Sequence, residues 1–336
     1  MEEIAQLSAE DRRAVFSQTA ANLGLAPIIA EKDFWVCWTL GRIFGLEDRP
    51  RLLFKGGTSL SKCFGLIRRF SEDIDLSLHR EDIGLGGEDD PSTKSSRKSF
   101  QKAMKSFTPK VQAYVEEVVY PMLREGLRSL GEPIELKLQH TGTETEIRFQ
   151  YPQSFTVAEY GGAGAYVKPI VLLELGARSD HHPTRSVRVK PYVADEIPEF
   201  ARVGCEVVAQ APERTLLEKA LILHSQFARA NLKRTASRHA HDVAMLAADD
   251  KTMKRVTRSL LEEVAHHKFV FADDKFAKDA TVSGIRIVPE GELLGELAAD
   301  YRLMDEMFFE EPPPLEDVLE TLRTLEVQLN DLVGQV

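Results

Sequence analysis

The sequence predicts an α+β fold, with N-terminal helices, a mixed β-sheet core and a helical C-terminal domain. Two observations support this prediction. Short apolar or alternating runs, typical of strands, are concentrated in the middle of the chain, whereas apolar residues near both ends recur at helical spacing. We therefore divide the 336 residues into an N-terminal helical segment (1–50), an α/β core (51–203) and a helical C-terminal domain (204–336).

The N-terminal segment is predicted to hold two helices. Ser8 has the character of an N-cap, and the residues after it suit a helix as far as Gly24. Pro27 is well placed in a first helical turn, and residues 28–44 have a broad apolar face.

The core and the C-terminal domain are predicted from the same patterns. For the core they predict, in chain order, a strand at 51–54, a helix at 59–66, a strand at 74–78, a mobile loop at 79–97, a helix at 99–130 kinked at Pro121, and strands at 134–139, 146–151, 166–175 and 186–193. For the C-terminal domain they predict helices at 212–228, 237–248, 251–266, 293–308 and 315–333.

Composition narrows the class of protein. The N-terminus lacks the basic start and apolar core of a secretory signal, and no apolar run is long enough to span a bilayer. The cysteines, Cys37, Cys63 and Cys205, are scattered and form no CxxC pair. We expect a cytoplasmic protein without a membrane partner.

The net charge of −10 argues against a surface that is basic throughout, yet basic residues do cluster locally. Such clusters are either solvated faces or contacts for nucleic acid. They comprise Lys94, Arg97, Lys98, Lys102 and Lys105; Arg178, Arg185, Arg188 and Lys190; and Arg229, Lys233, Arg234 and Arg238.

A Gly-Gly-Thr-Ser turn follows the first predicted strand. Gly56 and Gly57 would let the backbone approach a ligand closely, and the helix after them offers N–H groups and a positive dipole end to phosphate. Thr58 and Ser59 would add hydroxyl donors. The spacing is not that of a P-loop.

Two acids, Asp73 and Asp75, alternate with apolar residues on the next predicted strand. Residues at i and i+2 of a strand face the same side, so these carboxylates should repel unless a cation or solvent separates them. An edge strand facing water is the simpler interpretation. Together with the glycine turn, however, the pair indicates a site for Mg²⁺ and a nucleoside triphosphate.

Three further residues are candidates. Glu174, within an apolar predicted strand, is either a third carboxylate of a two-metal site or a strand-end acid paired with Arg178. Lys219 could neutralise phosphate charge, and Asp242 could orient Lys219 or bind a substrate hydroxyl. Taken singly, Lys219 and Asp242 also suit a surface position or a helix–helix salt bridge.

The sequence resembles the AbiEii/AbiGii toxin family, including its MenT-like members, a branch of the polymerase β-type nucleotidyltransferases. The resemblance extends from residue 31 to beyond residue 320. It is carried by EKDFWVCWTL, KGGTSLSKCFGLIRRFSEDIDLSL, ERTLLEKALILH, RHAHDVAML and DYRLMDEMFFEEPPPLEDVLETL.

The resemblance implies transfer of a nucleoside monophosphate from an NTP by a toxin of a toxin–antitoxin or abortive-infection system. Some members add nucleotides to the 3′ end of tRNA, so the expected partners are NTP, an RNA acceptor and a cognate antitoxin. The family pattern further implies that Gly57, Thr58 and Ser59 hold the triphosphate, together with Gly56 of the same turn, that Asp73 and Asp75 bind two Mg²⁺, and that Lys219 and Asp242 are essential. Glu174 is placed as a further metal ligand by its strand pattern.

Two arginines before the acid pair, Arg68 and Arg69, have two interpretations. They either contact nucleotide or RNA at the mouth of the site, or lie at a solvated helix end.

Three alternatives remain open at this point. The same site could nucleotidylate a protein or a small molecule. The HAHD sequence suggests a metal phosphohydrolase of the HD type, with His224 and Asp249 as the only nearby residues to complete it. The chain could also be a degenerate module that binds a nucleotide or a partner without catalysis.

Overall fold

The computed structural model describes residues 1–47, 49–67, 69–71, 73–94, 96–131, 134–161, 167–308 and 311–334. Its helices are α1 (Glu2–Ala5), α2 (Ala9–Leu23), α3 (Pro27–Phe44), α4 (Gly56–Phe64), α5 (Arg97–Tyr114), α6 (Tyr120–Arg128), α7 (Tyr192–Glu196), α8 (Pro212–Ala228), α9 (Ala236–Ala247), α10 (Asp250–Met253), α11 (Arg258–Ala272), α12 (Lys275–Ser283), α13 (Gly291–Arg302) and α14 (Leu315–Gly334). Its strands are β1 (Leu52–Lys55), β2 (Asp73–Leu78), β3 (Leu136–Thr141), β4 (Glu144–Gln150), β5 (Ile170–Gly176), β6 (Thr184–Val189) and β7 (Cys205–Gln210).

The strands form a mixed seven-stranded sheet in the order β3-β4-β5-β2-β1-β7-β6, which confirms the predicted α+β class. β2 is antiparallel to β1 and parallel to β5, and β4 is antiparallel to both β3 and β5. Within the described ranges, no helix is long and apolar enough to cross a membrane.

The chain divides into two compact units. The first contains Met1–Cys63 and Ser71–Ala209, and the second contains Phe64–Phe70 and Gln210–Val336. The short Phe64–Phe70 segment therefore groups with the C-terminal helices although it lies between α4 and β2 in sequence. The domain boundaries at 50 and 203 stay predictions.

The N-terminal caps form as predicted. Ser8 accepts a hydrogen bond from the Asp11 amide at 3.1 Å, and α2 ends at Gly24 in the left-handed region. Pro27 opens α3, where the absence of its N–H costs nothing. α3 is almost wholly buried because it crosses the core of the first unit, where Trp35 stacks on Tyr151 at a ring-centroid distance of 5.7 Å.

Several predictions of elements differ from the structure. The helix expected at 251–266 is α10 and α11, and α7 and α12 were not predicted. The single helix expected at 99–130 is α5 and α6 joined by a π-helical turn at Val115–Val119, just before Pro121, because proline removes a backbone donor. β7 was missed, and it lies past residue 203. Its inward side chains are only Val207 and Ala209, so its apolar signal is short, yet it pairs in parallel with β1.

The second unit is built on helix packing. The leucine stripe expected along residues 315–333 is buried at Val318, Leu319, Leu322, Leu325 and Leu329. α8 and α9 each bury most of their length, which places charged side chains of both helices away from water.

Candidate active site

Gly56 occupies the junction between β1 and α4, where a larger residue would strain the backbone and displace a neighbouring carboxylate. Its φ of +79° lies in the region that L side chains rarely adopt. A Cβ at this position would lie 1.9 Å from Oδ2 of Asp75. The glycine is therefore required by the backbone turn and by the close approach of the acidic side chain on β2.

The two hydroxyl residues after the glycines face inward. Thr58 and Ser59 are each 1% exposed, and Oγ1 of Thr58 donates to Oγ of Ser71 at 3.1 Å. The groups that α4 presents at its start are therefore first-turn backbone N–H groups, which suit an anion. The predicted grip of both hydroxyls on a triphosphate stays a prediction.

The acidic residues of β2 are arranged as the period of a strand requires. Ile74 and Leu76 are buried in the core, whereas Asp73 and Asp75 are half-buried on the opposite face. Asp75 is the direct register partner of Glu174 on β5, which in turn is the partner of Glu146 on β4. Three acids thus lie side by side across three strands.

The neighbouring acids change the pKa of Glu174. Burial, the charges of Asp75, Glu144 and Asp73, and a hydrogen bond with Asp75 raise the pKa of Glu174 to about 7. Glu174 therefore retains a proton at pH values where an ordinary glutamic acid is ionised. Such a pair of carboxyl groups suits a divalent cation, because the cation can replace the shared proton.

The other acids of this face are paired with arginines. Glu144 accepts from Arg178 at 3.1 Å, so Arg178 contacts this neighbour of Glu174, and Glu146 accepts from Arg148 at 2.5 Å. Across the described ranges, no group of three histidine, cysteine, aspartate or glutamate side chains has the arrangement of a closed metal site. The ligand chemistry of the Asp75–Glu174 pair thus fits a hard cation, while a three-carboxylate clamp stays a prediction.

Sequence reasoning missed Lys55, which stands immediately before the glycines. It is the antiparallel register partner of Asp75, and its Nζ lies 3.8 Å from Oδ1 of that residue. A cation at the end of β1 thus faces an acid near the start of β2. The signal was available, because any antiparallel pairing of β1 with β2 brings the end of the first strand to the start of the second.

A buried ion pair fixes the helix that starts at Gly56. Nζ of Lys62 on α4 lies 2.5 Å from Oδ1 of Asp33 on α3, and the Tyr192 amide donates to the same carboxylate at 2.7 Å. Burial raises the pKa of Asp33 despite this contact. Removing either partner would leave a buried charge without compensation, so the pair holds α4 against α3.

In the second unit, the structure brings Arg69, Lys219 and Asp242 together. Nε and Nη2 of Arg69 donate to the two carboxylate oxygens of Asp242 at 2.7 and 2.8 Å, and Nζ of Lys219 lies 3.0 Å from Oδ2. Although burial opposes ionisation, the charges of Arg69 and Lys219 hold the pKa of Asp242 well below its usual value.

This geometry corrects one interpretation. Arg69 is 5% exposed, so it does not lie at a solvated helix end. Arg68 lies outside the described residues. Its planar donors are engaged in a bidentate pair with Asp242. Lys219 keeps 12% of its side chain exposed and is the more accessible cation of the cluster.

Two histidines near this cluster bear on the HD-hydrolase alternative. Nδ1 of His239 lies 3.4 Å from Nζ of Lys219, and burial lowers the pKa of His239 to about 3. His241 is 1% exposed and packs edge-on against Phe308 at 4.9 Å. Because both oxygens of Asp242 are already engaged by cations, the HAHD sequence does not present a His-Asp pair to a metal.

Comparison with known proteins identifies the family of this chain. The family model described as "Nucleotidyl transferase AbiEii toxin, Type IV TA system" matches residues 39–323. No curated protein matches the chain.

Similar solved structures include MenT4, a nucleotidyltransferase toxin from Mycobacterium tuberculosis H37Rv, at 15% identity and a TM-score of 0.43, covering 96% of this chain and 98% of that one. JHP933 from Helicobacter pylori is similar at 15% identity and a TM-score of 0.35, covering 90% and 97%. Because the family model matches residues 39–323, which is most of the sequence, this chain belongs to the AbiEii family of nucleotidyltransferase toxins of type IV toxin–antitoxin systems.

Proposed function

We propose that this nucleotidyltransferase moves a nucleoside monophosphate from an NTP to a hydroxyl of an RNA, with the 3′ end of tRNA as the expected acceptor and Mg²⁺ as the metal. The observation that supports this most directly is the contact between Gly56 and Asp75, together with the register of Asp75 and Glu174. A phosphate-binding turn and a pair of carboxyl groups are thereby adjacent in one unit.

Each part of this arrangement has a distinct role in the proposal. The first turn of α4, at Gly56 and Gly57, binds the triphosphate through backbone N–H groups. Asp73, Asp75 and Glu174 would hold Mg²⁺, which would lower the pKa of the attacking hydroxyl and neutralise charge on the leaving group.

The roles of the residues in the second unit are inferred from their resemblance to the family pattern. Lys219, in ERTLLEKALILH, would neutralise phosphate charge, and Asp242 would keep that ammonium group oriented through the contact at 3.0 Å. Arg69 then acts as a positioning residue for Asp242. This replaces the expected direct contact of Arg69 with the nucleotide.

The transfer reaction balances without a further reactant. The acceptor oxygen forms a bond to the α-phosphorus, and the bond between that phosphorus and the bridging oxygen to the β-phosphorus breaks. Pyrophosphate leaves with the electron pair, and the hydroxyl proton passes to solvent. The protein's contribution is positioning and electrostatic stabilisation.

Exposed basic residues support an RNA acceptor. Arg97, Lys98, Lys102 and Lys105 are exposed along α5 in the first unit. On a chain with a net charge of −10, such a local basic face provides favourable contacts for phosphates.

The test is transfer of label from each α-labelled NTP to deacylated total tRNA, to total protein and to small-molecule extract. We expect label on tRNA, and no label on tRNA whose 3′ end has been oxidised with periodate before the reaction. Asp73→Ala should abolish labelling, while Asp89→Ala, at an exposed acid of the same unit, should not.

The other outcomes separate the alternatives. Label on protein or on a small molecule would support the same chemistry with another acceptor. Undiminished labelling by Asp73→Ala would refute the site. Binding of NTP without transfer to any acceptor would indicate a degenerate module.

A further inference from the structure

A cavity of about 640 Å³ lies at one end of the sheet in the first unit. It is lined by the start of β3, the end of β4 with the residues that follow it, and the start of β5. Its volume falls within the range of small-molecule and cofactor sites. No role has been assigned to it above.

The cavity shares a sheet face with the acidic row. Asp73 on β2 is the register partner of Leu172, Leu172 of Arg148, and Arg148 of Lys137. In-register neighbours project from the same face, and adjacent strands are about 4.8 Å apart, so the Arg148 position lies about 10 Å from that of Asp73. The cavity-lining cations Arg148 and Lys137 therefore extend the row that begins at the carboxylates.

The direction of the reaction assigns a side to each substrate. The phosphate-binding turn at Gly56 follows β1, on one flank of β2, whereas β5 and β4 lie on the other flank. In phosphoryl transfer the attacking and leaving oxygens are roughly in line. If pyrophosphate leaves toward the β1 flank, the attacking hydroxyl must come from the β5–β4 flank, where the cavity lies.

The lining of the cavity suits a nucleotide. Lys137 and Arg148 are exposed cations. Among the described residues Lys137 pairs with the exposed Glu135 at 3.4 Å, and Arg148 pairs at 2.5 Å with Glu146, whose side chain is 13% exposed. A surface pair such as Lys137–Glu135 is weak and can exchange for a phosphate. Apolar side chains, including Ile170, offer a surface for a base.

One amide group lacks a partner. Nε2 of Gln153, which lines the cavity, is buried and finds no acceptor among the described residues. Leaving a buried donor unpaired is costly, so a base carbonyl or ring nitrogen in the cavity would stabilise it.

We propose that this cavity is the acceptor subsite and takes the 3′-terminal nucleotide of the RNA. Lys137 and Arg148 bind the last phosphodiester, and Gln153 contacts the edge of the base. This inference rests on the proposed transfer to RNA, and it names the residues that would make the protein recognise a polynucleotide end.

The experiment compares the double variant Lys137→Ala/Arg148→Ala with Arg124→Ala/Arg128→Ala, which removes the same charge from exposed positions on α6. Fluorescently labelled deacylated total tRNA is the binding probe, and its anisotropy is followed at several salt concentrations. Labelling with α-labelled NTP gives the KM of tRNA and of NTP for each protein.

We expect the cavity variant to raise the Kd and the KM of tRNA about tenfold, with the KM of NTP within about twofold of wild type. The slope of log Kd against log salt should fall by about 0.7, since both cations contact one phosphodiester and each phosphate contact with a single strand contributes about 0.7. The α6 variant should match wild type in both KM values. Gln153→Ala should reduce the preference among RNAs that differ in their terminal base.

Two results would overturn the subsite. One is RNA labelling by wild type with a tRNA Kd for the cavity variant equal to that of the α6 variant. The other is an equal rise in the KM of NTP, which would place the cations on the wrong substrate. Wild-type protein that labels no RNA would refute the proposed function and the subsite with it. The other two results refute the subsite alone, so the two failures can be told apart.

Discussion

Replacing Glu174 by glutamine should make the protein more stable at pH 8 but not at pH 5. Burial and the neighbouring carboxylates raise the pKa of Glu174 from its ordinary value of 4.5 to about 7. A carboxyl group with a raised folded-state pKa binds more protons in the folded protein than in the unfolded chain between these values. Stability must therefore fall as the pH rises from 4.5 to 7, and Glu174→Gln should abolish that fall.

The size of the effect follows from the same numbers. At 1.36 kcal/mol per pKa unit, the rise corresponds to roughly 3 kcal/mol. Because the Glu174 side chain is only half-buried, solvent screening reduces this to about 1–2 kcal/mol. For a folded unit of this size we expect a gain in melting temperature of about 2–8 °C at pH 8.

The assay is urea or thermal unfolding with EDTA at pH 5, 6, 7 and 8. Glu117→Gln, at an exposed acid in the π-helical turn, makes the same chemical change away from the sheet and should behave as wild type. Equal stabilisation by Glu174→Gln at pH 5 and pH 8 would refute the electrostatic reasoning, because a packing effect does not titrate.

The same variant tests the metal. At pH 8 MgCl₂ should restore the stability that wild type loses, by about 1.4 kcal/mol at ten times the dissociation constant. Glu174→Gln should gain less, because one charged ligand has been removed. An equal gain in both proteins would place the Mg²⁺ elsewhere.

Three further substitutions probe the turn and the buried cluster. Gly56→Ala should abolish transfer, whereas Gly142→Ala, which has a φ of +63° but open space around its Cβ, should cost only about 1–2 kcal/mol of stability in urea unfolding. Arg69→Met should destabilise the second unit by about 3–5 kcal/mol, because it leaves the buried Asp242 carboxylate with a single cation; a loss below 1 kcal/mol would contradict this. Lys219→Met also leaves Asp242 with a single cation and should lower the melting temperature. Measured on protein that is still folded, it should slow transfer by about tenfold to a hundredfold, and full activity would exclude its proposed role.

Local patterns were sufficient to predict part of the site. The period of two along β2 predicted that Asp73 and Asp75 share a face, and the structure has them there because Ile74 and Leu76 fill the core. The junction at Gly56 was likewise predictable, since a strand followed by two glycines and a helical pattern indicates a turn.

The register of the sheet was not predictable from the sequence. Glu174 was proposed as a ligand from its apolar surroundings, yet its position opposite Asp75 depends on the parallel pairing of β2 with β5. That pairing crosses nearly a hundred residues and is determined by packing on both faces. β7 shows the same limit, because burial beside β1 compensates for its weak strand signal.

The Arg69–Asp242 pair shows a stronger form of this limit. The two residues are 173 positions apart, and no local pattern links them. Local sequence predicts that an arginine in a short polar segment is exposed to solvent, because an isolated guanidinium is costly to bury. The carboxylate of Asp242 on α9 and the Phe70 carbonyl accept hydrogen bonds from the buried guanidinium, and the first of these partners is far away in the sequence.

The glycine at position 56 links the geometry of the turn to the position of the Asp75 carboxylate. From the sequence, its absent side chain was expected to make room for a ligand; in the structure the space beside its Cα is filled by the carboxylate of Asp75. Any side chain at Gly56 must therefore displace Asp75 and disturb its contact with Glu174. The geometry of the turn is therefore coupled to that of the carboxylates, and the antiparallel pairing of β1 with β2 also places Lys55 opposite Asp75.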